Sequence, residues 1–224
     1  MTSERTRKMI TIAMLTAIAY ILAFTTSVVR ISLVPAVGFL SYDPKDIILM
    51  IAGFIFGPLA PLAMAFTCAF LEMITVSSTG IIGATMNFIS SCAFTVTASI
   101  IYKKKRTIAG AAIGLFSGIV ILTAVMMLWN YYLTPIFMGV PRRVVVALLI
   151  PGFLPFNLIK GTLNAGITLF IYKPIRVALD KSRLIPTTSD GLDASGKTNT
   201  IVLIISLFII ISCILFVLSI RGII

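Results

Sequence analysis

The chain has 224 residues, of which 59% are hydrophobic and 11% charged, with 18 Lys and Arg, 7 Asp and Glu and no histidine. Soluble domains carry roughly 45–50% apolar and 25% charged residues, so the composition excludes an ordinary soluble fold and points to an all-α, polytopic membrane protein. The formal net charge of +11 does not argue for a nucleic-acid partner, because the cations lie in short runs between apolar segments, where the positive-inside rule places them.

In chain order, Arg5, Arg7 and Lys8 precede an apolar run over 9–29 that is too long for the core of a signal peptide and reads as a retained first span. It carries Ala13, Ala17, Ala19 and Ala23, two small-xxx-small pairs that allow another helix to approach closely, either inside this bundle or on a second protein. Residues 47–71 are almost continuously apolar, yet Gly57-Pro58 and then Pro61 interrupt them, which divides the stretch into spans over 46–56 and 57–76. Charge supports two crossings. With a cytoplasmic N-terminus, they put Lys103-Lys104-Lys105-Arg106 and the cluster Lys173, Arg176, Lys181, Arg183 both on the cytoplasmic side. The first of the two spans is short, so it must be tilted or extended by the preceding loop.

Further spans are expected over 84–101, 107–128, 153–172 and 201–220. Residues 30–45 and 129–152 are then long outer connections, rich in Pro, Gly, Asn and Asp, able to roof a pocket. Arg142 and Arg143 fit an ordinary surface loop. Residues 186–200 read as a flexible polar linker between a membrane domain at 1–185 and an additional helix within 201–224, whose role as partner element, regulator or anchor the sequence leaves open. Cys68, Cys92 and Cys213 all lie in apolar segments without metal-ligand spacing and read as packing residues.

Lys160 carries the chemistry. It sits in the run Leu154-Pro155-Phe156-Asn157-Leu158-Ile159-Lys160-Gly161, far in sequence from other charges. A charge at membrane depth costs roughly 2.5–3.5 kcal/mol on insertion scales, which makes it a candidate for handling a solute. Asn157 and Asn164 share its helical face. Asn87 and Asn130 fall in the same outer half, where each can bond a neighbouring helix or a ligand. Phe39, Tyr42, Phe88, Trp129 and Phe156 are candidate walls or interface anchors. Glu72 is the one acid that reads as deep in the apolar sequence, and proton coupling through a lone carboxylate has little support. The chain lacks a Gly-rich phosphate loop, a His-Glu-x-x-His motif and a nucleophile–base set, so no catalytic residue, metal site or cofactor is expected, nor ATP hydrolysis by this chain alone. Amides with one lysine under apolar loops suit an uncharged or mildly anionic heteroaromatic solute.

The Pro155-Phe156-Asn157-x-x-Lys160-Gly161 element, Phe56-Gly57-Pro58-Leu59-Ala60 and the Asp43/Asp46 pair together resemble the substrate-binding S components of energy-coupling factor (ECF) vitamin transporters, the riboflavin type above all, over residues 9–176. The resemblance implies a six-helix S-component bundle in the cell membrane, here with one extra C-terminal transmembrane helix, that binds a vitamin from outside without acting on it chemically. It further implies docking to a transmembrane coupling protein and two ATP-binding subunits, with Ala13 and Ala17 on the docking face. Asn87, Asn130, Asn157 and Lys160 match ligand-contacting positions, and Leu40, Tyr42 and Asp43 fall where the first loop closes over the flavin. Riboflavin, as transported ligand, is the expected solute; a different vitamin, or a stand-alone secondary transporter, is the alternative. This chain departs from the riboflavin pattern at Asp43-Pro44-Lys45-Asp46, where Asp-Phe-Ser-Asp is usual, and at Ala65-Phe66-Thr67-Cys68-Ala69 in the third span, where polar positions are usual.

Overall fold

The computed structural model describes residues 2–76, 79–185 and 200–223 and contains helices without a β-strand among them. Helix α1 (Thr2–Val29) ends where Arg30 turns left-handed at φ 53°. A loop follows, with a single 3-10 turn at Pro35–Val37 and an isolated bridge between Ser32 and Ser41. Helix α2 (Lys45–Phe56) is buried on nearly all sides, as a helix apolar around its circumference must be. It stops at Gly57, whose φ of 89° favours glycine, and Pro58 then precedes α3 (Leu59–Thr75).

The Gly57-Pro58 break produces a hairpin, because Lys45 at the start of α2 and Glu72 near the end of α3 are 2.7 Å apart. The two helices therefore run antiparallel and side by side. Helix α4 (Gly80–Lys104) and α5 (Ile108–Met138) form a second close pair: a Cβ at Gly114 would lie 2.8 Å from the Ala98 carbonyl oxygen, and one at Gly118 would lie 2.7 Å from that of Phe94. Small residues bring these backbones together, as in other membrane helix pairs. Thr107 caps α5 by accepting the Gly110 N–H at 3.0 Å.

The second outer connection differs from expectation. Residues 129–138 continue α5, which reaches 31 residues, or roughly 46 Å, before Gly139 ends it at φ 63°. Asn130 and Pro135, read as turn residues, lie inside the helix. The run Trp129–Met138 has the apolar and aromatic content to extend it, and one missing N–H at Pro135 does not stop a helix supported by its neighbours. Short α6 (Arg142–Leu148) and a π-helical turn at Leu149–Phe153 then lead into α7 (Leu154–Lys181), which continues past the expected end and through Pro174.

Three apolar clusters hold the bundle. One joins α2, α4, α5 and α7 around Met50, Phe94 and Leu122. A second joins α1, α2 and α3 around Leu49, Met64 and Cys68. A third packs Leu33, Val34 and Val37 of the first loop against Val145, Phe153 and Phe156, with Ile210, Cys213 and Val217 of the last helix, α8 (Thr200–Ile220), alongside. The thiols of Cys68, Cys92 and Cys213 are free, and all three pack in these clusters. Helix α8 lies on α7, where a Cβ at Gly166 would meet Ile209 at 3.0 Å. The proposed linker at 186–200 falls outside the described residues except for Thr200.

Large apolar side chains such as Phe66, Phe116, Ile136 and Phe208 remain exposed around the bundle, and among the described residues five helical segments, one of them the run from α6 through α7, are long and apolar enough to cross a membrane. The two ends of the bundle are distinct. Lys8 stacks over Phe56, the Thr11 hydroxyl donates to the Leu184 carbonyl at 3.0 Å, and Lys103 approaches Gly57. The N-terminal cations, the 103–106 run and the end of α7 thus gather at one end, with the 30–44 loop at the other.

A roofed polar cavity at the loop end

A cavity of about 410 Å³ opens at the loop end, lined by the C-terminal ends of α1, α3 and α5, the N-terminal ends of α4 and α7, and residues 38–43. Leu40, Tyr42, Asp43, Asn87, Asn130, Asn157 and Lys160, which come from three helices and one loop, all line it. Phe39, Tyr42, Trp129 and Phe156 contribute aromatic surface. Phe88 does not: it stacks edge-on against Phe66 with ring centroids 6.0 Å apart, within the α1–α3 cluster. It follows the lining residue Asn87 by a single position, about 100° round α4, and sequence spacing alone does not show which side of that helix faces inward.

The amides are pre-positioned by their own helices. Asn157 Nδ2 donates to the Phe153 carbonyl at 2.7 Å, and Asn130 Nδ2 to that of Met126 at 2.7 Å, while the Thr134 hydroxyl donates to Asn130 Oδ1 at 2.8 Å. Each amide nitrogen carries a second hydrogen. The π-helical turn just before Leu154 supplies the carbonyl that orients Asn157; such turns recur at functional sites.

Lys160 is 6% exposed, and its ammonium lies 3.4 Å from Ser90 Oγ and 3.5 Å from Asp46 Oδ2. The charge that is isolated in sequence therefore has a carboxylate across the helix interface. Asp46 is wholly buried: Oδ1 accepts the Ser91 hydroxyl, and among the described residues Oδ2 has no hydrogen-bond partner besides the facing ammonium. Asn164, one turn beyond Lys160, has a different task. Its Oδ1 accepts the Tyr42 hydroxyl at 2.6 Å and its Nδ2 donates to the Asp43 carbonyl at 3.2 Å, so it fastens the loop to α7.

Glu72 is not a lone carboxylate. Oε1 accepts from Lys45 at 2.7 Å, and Oε2 accepts from Asn87 Nδ2 at 3.0 Å. Lys45 also pairs with Asp43. Burial opposes ionisation of the Asp43 carboxyl, but Lys45 and Lys160 outweigh it and hold the group below its ordinary value. Burial, then Asp46 and Asp43, push the Tyr42 phenol up, so that it stays protonated as a donor to Asn164.

Sequence reasoning missed Lys45 and Asp46 as buried groups, because they stand at the edge of a span beside loop residues. The pattern Asp-x-Lys-Asp entering an apolar helix was the available signal. Ala13 and Ala17 are exposed along α1, whereas Ala19 and Ala23 are buried; the two small-residue pairs face different surroundings.

Comparison with known proteins agrees with this architecture. The chain is 29% identical over 176 residues to "Riboflavin transporter RibU" of Staphylococcus aureus (strain TCH60), covering 76% of this chain and 90% of that protein. It is 28% identical over 191 residues to "Riboflavin transporter FmnP" of Bacillus subtilis (strain 168), covering 80% and 97%. A solved structure described as "Structure and mechanism of the S component of a bacterial ECF transporter" superposes with a TM-score of 0.67 at 30% identity, covering 78% of this chain and 98% of that one. The family model for "ECF transporter, substrate-specific component" matches residues 7–172, from the first apolar span to the lower part of α7 and across every helix that lines the cavity. The chain is a multi-pass membrane protein and belongs to the substrate-specific components of ECF transporters.

Proposed function

We propose that this chain binds riboflavin, or a closely related flavin, in the cavity at its loop end and passes it inward as the S component of an ECF importer. The observation that carries the reading is the cavity itself: one ammonium and several amides set among aromatic walls, in a volume within the roughly 300–1,000 Å³ of small-molecule sites. The curated relatives described as riboflavin transporters support the choice of solute.

In this reading Lys160, Asn87, Asn130 and Asn157 hydrogen-bond ring carbonyls and ribityl hydroxyls, while Leu40, Tyr42 and Trp129 cover the ring faces. The 38–43 segment forms the roof. The chain leaves the ligand chemically unchanged, and a transmembrane coupling protein with two ATP-binding subunits supplies the energy. Ala13 and Ala17 form part of the face that meets the coupling protein. The N-terminus is cytoplasmic, which puts the cationic end of the bundle inside and the cavity outside.

Flavin fluorescence provides the test. Riboflavin titrated against purified protein is expected to be quenched with saturation at micromolar concentration or below. Absence of quenching, with a different vitamin co-purifying by mass, would reassign the ligand. Uptake into vesicles by this chain alone, without ATP-binding partners, would replace the S-component mechanism with a secondary transporter.

A further inference from the structure

Helix α2 begins with two adjacent charges that serve different neighbours: Asp46 turns toward α4 and α7, Lys45 toward the loop and α3. A cation at a helix N-terminus opposes the helix dipole, and an ammonium only 1% exposed needs compensation. Asp43 and Glu72 provide it. Asp43 also accepts the Lys45 backbone N–H at 3.0 Å, so the loop's last acid caps α2 while pairing with the side chain of the same residue.

We propose that Lys45 is a positioning residue of the binding site, one that locks the roof segment and the ligand-facing amide of Asn87 in place through a shared buried charge. Lys45 does not line the cavity, whereas its partners Asp43 and Glu72, and Asn87 beyond them, all do. Glu72 divides its two oxygens between Lys45 and Asn87, so the Asn87 amide takes its orientation from a carboxylate that Lys45 anchors. On the loop side, Asn164 holds the Asp43 carbonyl and the Tyr42 hydroxyl, and Lys45 holds the Asp43 carboxylate. The roof is thereby fixed at its C-terminal end by a neutral clasp on α7 and an ionic one on α2. Remove the ammonium, and Asp43 and Glu72 repel one another under the roof, with Lys160 the buried cation that remains beside the cavity.

The role assigned to Asn87 rests on the flavin reading above, and two measurements separate the proposals. Hydrogen exchange on the ligand-free protein reports the roof directly. Lys45→Met is expected to speed exchange across residues 40–43 by at least about tenfold while α5 and α7 keep their protection. Riboflavin titration reports the amide: Lys45→Met is expected to bind at least about tenfold more weakly, and Lys45→Met/Glu72→Gln, which removes one repelling charge and keeps an acceptor for Asn87, to recover most of that loss. Unchanged roof exchange in Lys45→Met overturns the proposal, as does a double variant no better than the single one. Should Lys45→Met exchange rapidly throughout, the double variant decides: global exchange there too makes Lys45 a folding residue and removes its positioning role. A wild-type protein that binds no riboflavin defeats the flavin assignment alone, since the exchange measurement needs no ligand.

Discussion

Replacing Lys160 by Met removes the ammonium and keeps most of the side-chain volume. Two consequences can be separated. Toward the ligand, the loss is one charge-assisted hydrogen bond, about 1.5–3 kcal/mol, or roughly a 10- to 150-fold weaker Kd for riboflavin. Toward the protein, Asp46 loses the ammonium that faces its Oδ2 at 3.5 Å and is left wholly buried with the Ser91 hydroxyl. Breaking a buried pair from one side typically costs about 3–5 kcal/mol, so Lys160→Met should also lower the melting temperature. Lys160→Met/Asp46→Asn discharges the stranded carboxylate. It is expected to regain most of the stability and little of the affinity. Fluorescence-quenching titration and thermal denaturation of both variants measure the two effects. A double variant that binds riboflavin within about twofold of wild type would show that Lys160 serves Asp46 and not the ligand, and the reading of the cavity would fail.

Tyr42→Phe leaves Asn164 Oδ1 without its 2.6 Å donor and should speed flavin release by about fivefold, or about 1 kcal/mol, in stopped-flow fluorescence. Ala13→Leu with Ala17→Leu places bulk on the exposed face of α1; flavin binding should be unchanged while co-purification with the coupling protein and ATP-binding subunits is lost. A chain ending at residue 185 lacks α8 yet keeps every residue that lines the cavity, so its riboflavin Kd should stay within about tenfold of wild type in the same titration. Asp43, Asp46 and Glu72 are offset by Lys45, Lys160 and, at the rim, Arg30, so raising salt from low to high should move the riboflavin Kd by less than about twofold.

The long spans and their order were legible because lipid imposes long apolar runs, and Gly57-Pro58 marked its hairpin through backbone chemistry that glycine and proline carry with them. The connection over 129–152 was not legible. Its Asn, Pro and Gly residues signal turns in water, but inside a bundle Asn130 bonds its own helix and Pro135 is tolerated in α5. The seven candidate ligand residues line one cavity; the Pro155-Phe156-Asn157-x-x-Lys160-Gly161 element ties two of them to a helix end, whereas Leu40, Tyr42 and Asp43 lie in the roof loop and Asn87 and Asn130 were placed by family resemblance. Phe88 had only its aromaticity to recommend it, and α4 turns it toward α3 and Phe66.

The ionic partners were hidden for a more general reason. Sequence presents Lys160 as a charge with no counterpart within a dozen residues, and insertion scales assign it the full cost of an isolated ion. Asp46 lies 114 positions away at the mouth of another helix, where an acid looks like the last residue of a loop. Once α2 and α7 pack, the two meet, and the site becomes cheaper to build than either span suggests alone. The same packing sets what the lysine can do. With Asp46 at 3.5 Å and Ser90 at 3.4 Å, neither close contact of its ammonium is short, so it retains hydrogens to offer a carbonyl oxygen entering from the cavity. A lysine in a 2.7 Å pair, as Lys45 is with Glu72, has its hydrogens committed to the protein and acts through its partners; one held more loosely at a cavity wall keeps hydrogens free to face the cavity.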